Sequence, residues 1–422
     1  MGATKVSIGV RVQPAVFVVL LLVSSAWGSP REKVLHNFNS MGTDGHYPRA
    51  SLIFDAAANI YGTTSYGGSG SCGDNGVGCG AVFELTPKVG GGWTERVLYS
   101  FKNNGKDGNH PYAGLIFDAA GNLYGTTLDG GVYDYGTVFE LTPQKAGTWT
   151  EKVLHSFNNN YKDGVWPYGG LIFDAAGNLY GTTADGGGKG YGTVFELAPE
   201  AAGRWKEKIL HNFSYNGKDG YAPYASLIFD SVGNLYGTTL QGGTYGTGTV
   251  FELMPQAVAA GRWREKILHN FNYNGKDGYY SNAGLILSAA GNLYGTTRLG
   301  GAYNYGTVFE LTPKVGGGWT EKVLHNFNFN GKDGFYPYAG LILDAGDNLY
   351  GTTSNEGYGV GAVFELTPKA CGSWKEKVLH NFNYTNGNYP YGGVILDSAG
   401  NLYGTTTYGG TKGGGTVFEI TP

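Results

Sequence analysis

Leu179-Tyr180-Gly181-Thr182-Thr183 is one of seven near-identical pentapeptides in this chain. Six copies read L-Y-G-T-T, and the one at Ile60 reads I-Y-G-T-T. They start at Ile60, Leu123, Leu179, Leu235, Leu293, Leu349 and Leu402, at intervals of 63, 56, 56, 58, 56 and 53 residues. A near-fixed period of this length means one supersecondary unit copied in tandem. It also acts as a filter, because a residue that recurs seven times belongs to the scaffold before it belongs to a catalytic site.

Working outward from Leu179, the flanking residues read as short strands. Trp149 to Phe157 alternates in two-residue steps, and a polar loop runs from Asn158 to Gly164. Gly170 to Asp174 is a second strand, and Ala175-Ala-Gly-Asn178 is a tight turn in which Gly177 and Asn178 accept positive φ. Leu179 to Thr183 follows, then a glycine-rich loop, then Gly192 to Leu197. No stretch of the mature chain carries a sustained 3.6-residue apolar period, so no helix is expected. Four antiparallel strands per unit is the count of a propeller blade. Seven units predict an all-β, seven-bladed β-propeller.

Phase follows from loop length. The long polar link, typified by Asn104-Gly-Lys-Asp-Gly108, suits a blade-to-blade crossover. L-I-F-D is then innermost, L-Y-G-T-T second, V-F-E-L third and W-x-E-K outermost. The mature chain opens with an outermost-type strand, Glu32 to Phe38, and closes with a third-type strand, Val417 to Ile420. The N-terminal strand is expected to complete the last blade and close the ring, which removes exposed sheet edges.

Glycine supplies 75 of 422 residues without a G-X-Y period, which excludes collagen and suits many tight turns. The net charge of −4 gives no basic footprint for nucleic acid. Lys5 and Arg11 precede an apolar run from Ala15 to Val23, and Ala26-Trp27-Gly28 fits a cleavage site. Residues 1–28 are therefore expected to be a secretory signal peptide, and 29–422 a single propeller. That run falls well short of the ~20 residues that span a bilayer. Cys72 and Cys79 flank a glycine-rich insert in the first repeat and are a disulfide candidate in an exported chain, with Cys371 left over.

The string D-A-A-G-N-L-Y-G-T-T, followed by G-G…Y-G-T-V-F-E-L-T-P, resembles the bacterial GloVer tandem repeat over nearly all of the mature chain. The resemblance implies an exported protein, often with a C-terminal sorting segment, and brings no activity or catalytic residues. This chain ends on a blade-like strand, Val417 to Ile420, so free secretion is expected over surface anchoring.

Each recurring polar residue has both a chemical and a packing reading. Glu84, Glu140, Glu196 and their equivalents face Arg96, Lys152, Lys208 and theirs; cross-strand ion pairs are expected rather than the carboxylate pair of a glycosidase. His36, His155, His211, His269, His325 and His380 share one outer-strand position, with Tyr99 in the remaining copy. Histidines so spread cannot meet at one ion, so packing is expected. His46 and His110 lie outside that position. The N-G-K-D-G loops offer oxygens of the kind calcium uses but lack dense carboxylates; a tight turn is expected, structural calcium being the minor alternative. No other metal or cofactor is expected. The Y-G-T-T threonines suit strand ladders rather than nucleophiles.

One position stands out. Tyr112, Tyr168, Tyr224, Tyr338 and Tyr391 each follow a proline just before the innermost strand, and Arg49 and Asn282 replace them in the first and fifth copies. If these residues ring the axial channel, they form a ligand site suited to sugars or a peptide; if they pack between blades, no ligand reaches them. Symmetry also breaks at Ser288, at Arg298 and in the cysteine insert. The expected function is a secreted, non-catalytic, monomeric propeller whose partner is a glycan or an extracellular protein, with no nucleic acid and no transmembrane segment after signal cleavage. The alternatives are an exported polysaccharide-acting enzyme with carboxylates at the channel mouth, and a surface structural protein.

Overall fold

The computed structural model describes residues 29–72, 78–145, 147–256, 262–355 and 360–422. The expected signal peptide lies outside them. The described residues form seven four-stranded antiparallel sheets. In blade 3 the order is Ile172–Phe173, Leu179–Thr183, Thr193–Pro199 and Trp205–Asn212. The phase matches the sequence reading, except that the L-I-F-D strand shrinks to two paired residues. Among the described residues no α-helix forms, and single 3₁₀ turns at Ala201–Gly203 and Ala370–Gly372 join third strands to outer ones. Blade 7 takes its outer strand from the N-terminus: Arg31–Asn39 pairs antiparallel with Gly413–Thr421, Lys33 opposite Glu419. A seven-bladed propeller results, closed by that strand.

The pentapeptide is repeated because each of its residues has a different partner. Leu179 is fully buried between blades. The Tyr124 hydroxyl donates toward Glu140 at 2.8 Å and lies 3.1 Å from Asp118, so it ties the second strand to the third and to the inner turn. A Cβ on Gly181 would stand 2.6 Å from Cζ of Phe195, so only glycine lets that ring lie across the strand. Thr182 reaches the next blade, donating to the Ala225 carbonyl at 2.9 Å. Thr183 Oγ1 sits 2.8 Å from Thr193 Oγ1 on the third strand. The threonines are thus ladder and junction residues, as their type suggests.

Apolar burial lies between blades. Tyr124, Val138 and Phe157 of one blade pack against Leu171, Leu179, Phe195 and Leu197 of the next. The seam is closed the same way: Phe38, Tyr403 and Val417 pack on Leu52, Ile60, Phe83 and Leu85. Each fully buried Phe contributes about 1.5–3 kcal/mol, so no blade is stable without neighbours. Every outer strand carries a bulge. In blade 2 His155 pairs with Val138 and Val153 with Phe139, which leaves Leu154 extra.

The recurring charges behave as scaffold. Ion pairs link Glu84 to Arg96 at 2.6 Å, Glu196 to Lys208 at 3.4 Å and Glu419 to Lys33 at 3.6 Å. In the crossover loops Asn104 Oδ1 accepts the amides of Lys106 and Asp107, so the expected tight turn is of the Asx type, with positive φ at Gly105 rather than at the glycine after Asp107. Ser288 lies at the far end of its inner strand from Asn282. There Asn292, deprived of the usual aspartate, donates to Glu310 at 2.8 Å instead. That break in symmetry is repaired locally.

Candidate functional site

The inner strands all begin at one end of the ring, the end that also carries the crossovers and the loops between second and third strands. Just before each inner strand one residue adopts positive φ. These are Tyr47, His110, Trp166, Ala222, Tyr280, Tyr336 and Tyr389, at 59°, 54°, 58°, 55°, 58°, 56° and 53°. Non-glycine residues seldom adopt this conformation. The reason is the junction. The Trp166 amide donates to Tyr135 O of the preceding blade at 3.1 Å, and its carbonyl accepts from Ala184 of its own blade at 3.0 Å. Each kink then aims the residue two positions on toward the axis.

The residues so aimed line one axial cavity of about 410 Å³. All seven ring positions contribute: Arg49, Tyr112, Tyr168, Tyr224, Asn282, Tyr338 and Tyr391. Leu240 and Arg298 join them from the position after Y-G-T-T. The tyrosine rings touch their neighbours around the ring and also line the cavity. Tyr112 and Tyr168 meet edge to face with centroids 5.7 Å apart, Tyr168 and Tyr224 are 4.5 Å apart, and Tyr338 and Tyr391 are 5.0 Å apart. The Arg49 guanidinium stands over Tyr112 at 4.9 Å and Tyr391 at 5.4 Å, bridging the gap left where blade 1 lacks a tyrosine. Arg298 stands over Tyr338 at 4.9 Å. Such contacts hold the rings still.

Burial pushes the Tyr168 hydroxyl up to about 12, and raises those of Tyr112 and Tyr224 as well. These groups therefore stay protonated near neutrality and offer O–H donors beside aromatic faces. In the lining, Arg49 Nε and Asn282 Oδ1 are buried without a hydrogen-bond partner among the described residues. Among the described residues, the lining holds no carboxylate, histidine or cysteine.

The remaining sequence candidates fall elsewhere. His110 sits at the rim, its Nδ1 3.1 Å from Asp129 Oδ2. His46 is buried, stacked on Tyr66 at 5.9 Å. Cys72 and Cys79 are joined as a disulfide, and Cys371 is free and exposed. The carbonyl of Cys79 accepts the amide of His110 at 2.9 Å, so Cys79 braces the backbone at the rim. Leu240 escaped the sequence reading. Its signal was the variability of the position after Y-G-T-T: Ser65, Leu128, Ala184, Leu240, Arg298, Ser354 and Thr407.

A family model described as the Gloeobacter/Verrucomicrobia repeat matches residues 73–272 and 260–422. No curated protein sequence matches the chain. Among solved structures, an ancestral GH74 enzyme aligns with TM-score 0.52 at 12% identity, over 89% of this chain and 51% of that one. The extracellular domain of a hybrid two-component system from B. thetaiotaomicron aligns with TM-score 0.51 at 11% identity, over 91% of this chain and 39% of that one. At these identities the likeness is one of fold. No helix among the described residues is long and apolar enough to cross a membrane.

Proposed function

The chain belongs to the Gloeobacter/Verrucomicrobia repeat family, and from the cavity at the centre of its ring we propose that it is a secreted, non-catalytic propeller that binds a glycan through the axial site. The observation that carries this reading is the lining itself: five tyrosines held in place by one another and by two arginines. Aromatic faces stack on the apolar faces of sugar rings, while O–H, guanidinium and amide groups meet their hydroxyls. Preorganised rings lose little entropy on binding. A protein loop entering the cavity is the other ligand of the same surface.

The second reading, an exported enzyme acting on polysaccharide, draws on the His110–Asp129 pair, whose Asp129 lies close enough to act electrostatically on Tyr112 and Tyr168. Propellers host binding and catalysis alike, so fold does not choose between them. A glycan array followed by product analysis does. Retention of an intact glycan supports binding; release of shortened products that stops in H110A supports the enzyme. No binding to any glycan removes the sugar reading and leaves protein partners.

A further inference from the structure

The recurring histidines do more than pack. Each turns edge-on to a phenylalanine two residues on, as His155 does to Phe157 at 4.8 Å. Each also sits at a junction between blades, and all but His380 lie beside a crossover aspartate and an outer-strand glutamate of the following blade. At the junction of blades 2 and 3, His155 Nε2 lies 3.0 Å from Asp163 Oδ2 and 3.8 Å from Glu207 Oε1. At the junction of blades 3 and 4, His211 Nε2 lies 3.5 Å from Asp219 Oδ2 and 3.7 Å from Glu265 Oε1. In both groups the three donor atoms fall within 4.8 Å of one another.

We propose that these two junctions, His155 with Asp163 and Glu207, and His211 with Asp219 and Glu265, each bind a divalent transition-metal ion of the zinc class. Three features carry this. The first is spacing. Ligands about 2.0–2.2 Å from a tetrahedral zinc stand roughly 3.3–3.6 Å from each other, and the histidine–carboxylate distances of 3.0–3.8 Å bracket that edge.

The second is unmet valence. Asp163 and Asp219 are 6% and 7% exposed. Among the described residues, Asp163 Oδ1, Asp219 Oδ1, Glu207 Oε1 and Glu265 Oε1 are buried without an N–H or hydroxyl donor, each glutamate facing its aspartate. His211 Nε2 is in the same condition, facing two carboxylates and hydrogen-bonded to neither. Two carboxylates facing one imidazole out of water need a compensating positive charge, which a proton held between the facing carboxyls supplies in the absence of an ion and a divalent ion supplies on binding.

The third is the donor set. One imidazole and two carboxylates suit zinc, with a fourth position for water. Calcium takes six to eight oxygens. The other junctions differ. Tyr99 stands in the histidine position beside Asp107, and Asn386 stands in the aspartate position beside His380. None of the others brings three such donors within the same range among the described residues.

The test is titration of tag-free, EDTA-dialysed full-length chain with Zn²⁺ by calorimetry, with thermal unfolding read in parallel. The expected result is two equivalents of zinc and a rise in Tm of several degrees, as follows when an ion binds only the folded chain. Both responses should vanish in H155Q/H211Q, in which Gln preserves size and a hydrogen-bond donor, and persist in H325Q, a junction with the same residue types whose donors are not all within 4.8 Å of one another. Ca²⁺ at the same concentration should leave Tm unchanged. Absence of saturable zinc binding, or binding and a Tm rise undiminished in a folded H155Q/H211Q, would overturn the proposal. If H155Q/H211Q fails to fold, H155A and H211A tested singly should each remove one equivalent; two equivalents in both would overturn it equally.

Discussion

Thr182 Oγ1 donates to the carbonyl of Ala225, 2.9 Å away on the next blade. Ala225 follows Tyr224, so the recurring pentapeptide directly braces the axial ring. The same bond recurs from Thr63 to Ala113, Thr296 to Ala339 and Thr405 to Ala50. Removing the hydroxyl leaves a buried carbonyl without its partner, a loss of about 1–3 kcal/mol. Thr182→Val should lower stability by that amount in chemical denaturation. It should also weaken ligand binding at the axial cavity, though residue 182 does not line it.

Gly181 sits where a Cβ would meet Phe195 Cζ at 2.6 Å and Leu171 Cδ2 at 3.1 Å. Overpacking of this kind typically costs about 1–3 kcal/mol. Gly181→Ala should therefore lower the denaturation midpoint. Added together with Phe195→Leu, it should cost less than the sum of the two single changes.

Tyr168→Ala with Tyr338→Ala should reduce glycan affinity at least tenfold and shift Tm by only a few degrees. Both residues are part-exposed at the cavity wall. A large loss of Tm with unchanged affinity would instead assign the tyrosines to interblade packing alone.

Glu151 has its pKa pushed up to about 8 by burial and by the charge of Asp107 across the junction. An unfolded glutamate titrates near 4.5. The folded chain therefore holds a proton that the unfolded chain has lost. The associated stability is fully present below about pH 4.5, declines as pH rises toward 8 and is flat above. Glu151→Gln keeps the side chain neutral. Its Tm relative to wild type should climb across pH 4.5–8 and then level off in a pH series at fixed ionic strength.

Phe38 belongs to the N-terminal strand, yet it is fully buried, with its ring 5.0 Å from that of Phe83 in blade 1. Phe38→Ala should cost about 3–5 kcal/mol, the range for a core aromatic. If the strand were an appendage, the change would be nearly silent in thermal unfolding.

Most of the fold was legible in the chain because it depends on local pattern. The period of L-Y-G-T-T set the number of blades. Alternation in Trp149 to Phe157 marked a strand, and loop length set the phase. The axial ring was legible for a related reason: Arg49 and Asn282 interrupt a column of tyrosines that symmetry otherwise repeats. The inner strand was read too long, because only Ile172 and Phe173 pair before the backbone turns to the axis.

What the sequence by itself determined is therefore a ring of seven units, closed by its own first strand, with one column of residues that departs from the repeat. Only the tertiary structure decided which side chains meet. Thr182 with Ala225, Arg298 with Tyr338, and His211 with Asp219 and Glu265 all join different blades or loops. A repeat states what each blade contains. It does not state distances across a junction, because those depend on how adjacent twisted sheets pack, and that packing is where the apolar burial and the unmatched carboxylates both reside.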